Sequence, residues 1–177
     1  MENALGISKA IGDILGLALF GILLGLGRSL YSKYGKNIAN VLLLGMIGAT
    51  ACYIISGTVS NPLVCMLACI FTGLCTSMLW PGTLILMEEK FHNPGVTAYA
   101  LMAAGGDFGG SVSPQLLGIV VDKVSESWLA LELSNSLSLT PEQIGLKTGM
   151  LIASIFPILG IAVLLYIKKY FRKQVNK

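Results

Sequence analysis

Apolar residues run through this chain in long blocks, interrupted by short polar, charged or glycine-rich connections. Five blocks approach or exceed the ~20 mainly apolar residues that a helix needs to cross a bilayer. They cover residues 7–26, 38–55, 63–87, 96–121 and 149–167. The connections are 27–37, 56–62, 88–95 and 122–148, with a tail at 168–177. The third and fourth blocks are long enough to be tilted or kinked. In the third, Trp80-Pro81-Gly82 predicts a kink, because proline lacks a backbone donor and clashes with the carbonyl one turn back. The pattern predicts an all-α integral membrane protein with five transmembrane helices.

Composition makes the same point. Of 177 residues, 54% are hydrophobic and 12% charged, against roughly 45–50% and ~25% in soluble domains. So few charges cannot cover a water-facing surface, which argues against a soluble enzyme or a nucleic-acid binder. The 21 glycines suit a bundle whose helices approach closely in lipid. Cys52, Cys65, Cys69 and Cys75 lie inside apolar blocks and behave as small hydrophobes. With His92 as the sole histidine, no Cys/His metal spacing can be built, and nothing calls for a cofactor.

The charges orient the blocks. On one side of the alternating connections fall Arg28, Lys33, Lys36, Lys90, Lys168, Lys169, Arg172, Lys173 and Lys177; on the other fall Lys9, Lys123 and Lys147. Nine against three predicts the N-terminus outside and the C-terminal tail in the cytoplasm. Met1-Glu2-Asn3-Ala4 lacks the basic start of a signal peptide, and an outside N-terminus suits the later part of a longer protein. Within 122–148, Thr140-Pro141-Glu142-Gln143 spells a helix start with a capping box. Trp128, Leu129, Leu131 and Leu133 beside Glu126 and Glu132 predict a short interfacial segment.

Ionisable residues inside the blocks are the candidate chemistry. An acid at mid-membrane costs ~2.5–3.5 kcal/mol on insertion scales and normally faces a cavity or partner. Asp107 lies near the middle of the fourth block, and helical spacing puts Ala100, Ala103, Ala104, Gly110, Ser111 and Pro114 on its face. It can carry a proton or touch substrate, since burial raises a carboxyl pKa toward neutrality, or it can bond backbone groups freed by the glycines and Pro114. Lys9 and Asp13, one turn apart, either neutralise each other or face a cavity together. The third block carries a stripe of Thr72, Thr76, Trp80 and Thr83. Its tryptophan can stack on a sugar or anchor at the headgroups.

Gly6-Ile7-Ser8-Lys9 with Gly12-Asp13, Leu79-Trp80-Pro81-Gly82, and Ala100 through Asp107 together resemble the C-terminal half of a major facilitator superfamily transporter, helices eight to twelve. The likeness covers nearly the whole chain and leans toward the bacterial fucose-permease-like branch. The superfamily's cytoplasmic loop motif is matched by Lys33, Gly35 and Lys36, but Arg28, Ser32 and Asn37 replace its first glycine, its aspartate and its last basic residue. The resemblance implies secondary transport of a small polar solute such as a sugar across the bacterial plasma membrane, with protons as coupling ion. It also implies that the first, third and fourth spans line a cavity, that the second and fifth face lipid, and that the missing N-terminal half is a required partner. Two other readings remain open: a non-catalytic membrane subunit or assembly factor, and an intramembrane aspartyl protease using Asp13 and Asp107. The protease reading departs from its signature, which needs glycine where Ala104 stands.

Overall fold

The computed structural model describes residues 9–91, 93–137 and 139–175, and all regular structure among them is helical. The helices are α1 (Lys9–Tyr34), α2 (Ile38–Thr58), α3 (Pro62–Thr76), α4 (Leu79–Lys90), α5 (Val96–Ser125), α6 (Trp128–Leu137), α7 (Pro141–Ala153) and α8 (Ile155–Val175). Their starts follow from the sequence. The Asn37 side chain accepts from the Asn40 N–H and that of Asn61 from the Leu63 N–H, each serving a donor of the first helical turn. At Thr140 the expected capping box is present: Thr140 Oγ1 accepts from the Gln143 N–H, and Gln143 Oε1 from that of Thr140.

Four stretches are long and apolar enough to cross a membrane: Ile14–Tyr34, Ile38–Thr58, Pro62–Lys90 and Pro141–Arg172. The fourth block of the sequence does fold as one helix, α5, whose 30 residues reach about 45 Å. It is not among the four, because glycines, serines and Asp107 dilute its apolar residues. Two boundaries also differ from expectation. The helix of the first block runs on to Tyr34 through most of the presumed 27–37 connection. The fifth span starts at Pro141 rather than at residue 149, so the capping box opens the membrane rod itself.

Two rods are broken. The third span divides between α3 and α4 at Ser77–Met78, one turn ahead of Pro81, because a proline disrupts the turn before its own position. The last divides between α7 and α8 at Ser154, ahead of Pro157. Pro114, by contrast, lies inside the continuous α5.

The bundle is built around α2, which packs against α3, α4, α7 and α8. Ile38 and Leu42 are its most deeply buried large side chains and join Met78, Leu86 and Leu164 in one core. The opposite face of α2 leaves Leu44, Ile47, Ile54 and Ile55 exposed. The lipid-facing place implied for the second span therefore describes only one side of α2. Small residues set the close seams: a β-carbon at Gly45 would overlap the Cys75 carbonyl of α3, and one at Gly73 would overlap the Phe20 carbonyl of α1. Helix α1 rests mainly on α3, and α5 on α7. Both leave most of their surface open, and α5 buries no residue.

Candidate functional site

Asp107 sits on α5 among Gly105, Gly106, Gly109 and Gly110, and it is exposed. Every residue that helical spacing assigns to its face, from Ala100 through Pro114, is exposed as well. Ser111 Oγ donates to the Asp107 backbone carbonyl at 2.8 Å, so the serine is occupied by the helix itself. No described residue bonds the Asp107 carboxylate, which leaves it facing the open side of α5 rather than repairing the backbone near Pro114.

Trp80 comes to the same region from α4. Its indole lies against α5 at Gly106, where any β-carbon would overlap the ring. Gly106 is thus what lets the tryptophan reach the turn that carries Asp107. The ring remains half exposed, and Thr83 Oγ1 donates to the Trp80 carbonyl at 2.7 Å. Trp80 meets that turn at Gly106, while Asp107 and Ser111 share a neighbouring face of α5, roughly 100–140° round the helix from Gly106.

The other members of the stripe point inward. Thr72 is buried and donates to the Cys69 carbonyl; Thr76 donates to the Thr72 carbonyl at 2.8 Å. Thr76 lines a half-open groove of about 370 Å³ together with Tyr53 of α2, Leu79 of α4, Ser113 of α5, and Phe156 and Pro157 of α8. The walls are mostly apolar, with three hydroxyls among them. Ser113 stands six residues beyond Asp107, about 240° further round the helix, so the groove and the acid occupy different sides of α5. Tyr53 and Ser113 carry no sequence signal that would single them out.

Lys9 and Asp13 fall in the first turns of α1, and their side chains lie outside the described residues. The three loop-motif residues separate. Lys33 stays on α1 with its ammonium 5.4 Å from the Tyr34 ring centroid. Gly35 ends the helix with its N–H donating to the Tyr31 carbonyl at 2.7 Å, and any β-carbon there would overlap the Tyr31 ring. Lys36 lies in the turn before α2.

One contact of that region is absent from any motif. Arg28 Nε donates to the Ser77 carbonyl at 3.2 Å, from α1 to the α3–α4 break. Ser77 is four residues before Pro81, so its carbonyl is the one that the proline cannot serve. Gly27 makes the approach possible, since a β-carbon there would overlap Ser77 Oγ. The arginine completes a hydrogen bond that the sequence of the broken helix leaves open.

No family model matches the chain, and no curated protein or solved structure matches it. What the site can do rests on its geometry: a carboxylate that no described residue bonds on the open side of α5, a half-exposed indole against the adjoining turn at Gly106, and a separate half-open groove between α2, α5 and α8.

Proposed function

We propose that the chain is part of a secondary transporter for a small polar solute, with Asp107 as the proton-carrying group and Trp80 as a stacking surface. The observation that carries this reading is the Asp107 carboxylate, unbonded by any described residue and set on a face made wholly of small residues and Pro114. An acid so placed on a 30-residue helix is affordable within a membrane only beside water or a partner. The low apolarity of α5 fits the same placement, as a helix that lines a polar path between packed partners. In this reading a second helical bundle faces α1 and α5, and the solute moves between the two. A sugar is the first solute class to test, because an indole offers its ring a flat apolar face.

The test is uptake by cells carrying the chain in its own genomic context. Asp107→Asn is expected to abolish pH-dependent accumulation while leaving downhill exchange of the solute. Accumulation with an unchanged pH dependence in that variant would remove the coupling role from Asp107.

A further inference from the structure

A cleft of about 550 Å³ opens at one end of the bundle, between the start of α2, the end of α4 and the end of α8. Lys36, Lys90, Lys168 and Arg172 line it, with Glu89 as an opposing charge and Phe171 as an apolar wall. These cations come from three separate segments, so no run in the sequence announces them together.

The backbone contributes as well. Asn37 caps α2 and Ala39 lines the cleft, which places the positive end of a 21-residue helix at its floor. Within that first turn the Asn40 N–H donates to both the backbone carbonyl and the side-chain oxygen of Asn37. Lys168 is held in place by donating from Nζ to Asn40 Oδ1 at 2.7 Å. Phe91 meets Phe171 edge-on with centroids 5.7 Å apart, and the Lys90 ammonium sits 5.8 Å from the Phe171 ring.

We propose that this cleft binds the phosphate of an anionic phospholipid headgroup. Four cations against one carboxylate, together with a helix N-terminus, favour a compact anion. The source is lipid because the cleft closes the ends of three stretches long and apolar enough to cross a membrane. Exposed Leu165 and Ile158 lie two and four turns before Arg172 on the same face of α8, where acyl chains would lie.

The experiment is native mass spectrometry of the full chain in a neutral detergent, titrated with dimyristoyl phosphatidylglycerol or with the matching phosphatidylcholine. Phosphatidylglycerol is expected to be retained preferentially. Lys36→Gln and Arg172→Gln should each weaken its retention about fivefold. Glu89→Gln should strengthen it, a gain that a misfolded protein cannot produce. Lys123→Gln, on α5 away from the cleft, should leave it unchanged. Equal retention of the two lipids, or an equal loss in Lys123→Gln, would overturn the site. Displacement of the lipid by millimolar inorganic phosphate would reassign it to a free anion and overturn the lipid source.

Discussion

Ser77 and Ser154 each stand at the break of a helical rod, a few residues ahead of a proline that follows an aromatic side chain: Trp80-Pro81 in one, Phe156-Pro157 in the other. Both serines are buried, and each donates its hydroxyl to the carbonyl three residues back, Ser77 to Leu74 at 2.7 Å and Ser154 to Leu151 at 2.6 Å. The local chemistry is shared, yet the tertiary completion differs. At the first break Arg28 of α1 serves the carbonyl that Pro81 leaves open. At the second, the corresponding carbonyl is that of Ala153, and no described side chain donates to it; Ala153, Phe156 and Pro157 border the half-open groove instead. One elbow is pinned by a neighbouring helix, whereas the other borders the groove without such a donor. Proline placement decides where a rod breaks, and the neighbours decide how firmly the break is held.

The sharpest way to break this contrast is a β-carbon at each elbow. Gly27→Ala pushes against Ser77 Cβ as well as Oγ and has little room to relax, so it should cost about 1–3 kcal/mol in an unfolding titration in detergent. Gly160→Ala meets the Met46 sulfur at 3.0 Å, the end of a flexible side chain. Its added helix propensity offsets the contact, and its stability should change by less than about 1 kcal/mol. Equal costs at the two positions would erase the distinction.

A smaller effect tests the pin itself. Arg28→Ala leaves the Ser77 carbonyl without its donor and should destabilise by about 1–2 kcal/mol in the same titration. The subtlest measurement is a double-mutant cycle. Pro81→Ala restores an N–H one turn after Ser77, so it should recover about 0.5–1 kcal/mol more in the Arg28→Ala background than in the parent. Pro157→Ala, at the other elbow, should combine additively with Arg28→Ala. A coupling of the same size there would show that the arginine acts on the whole bundle rather than on its one carbonyl.

The helical content and the ends of most rods were legible because caps and apolar length are local properties. Thr140 and Gln143 make the bonds that their spacing predicts, and the small-residue face around Asp107 is exposed as a unit, because helical periodicity assigns faces directly. The break before Pro81 was legible to within a turn. Pro157 carried the same signal at the second break, masked by the uniformly apolar residues around it. The central place of α2 could not be read, since its apolar residues go all the way round and give no preferred side. Nor could the destination of Arg28: in the sequence it is one more cation in a basic connection, and only the packing of α1 on α3 brings it to Ser77.

The two lysines at the ends of the α7–α8 rod give its open elbow a mechanical meaning. Lys147 Nζ donates to the Val59 carbonyl at 2.8 Å, just past one end of α2, and Lys168 Nζ reaches Asn40 at the other. The rod is therefore tied to α2 on both sides of its break at Ser154. That break and the groove beside Met46 and Phe156 lie between two polar ties, so any bend there works against both lysines.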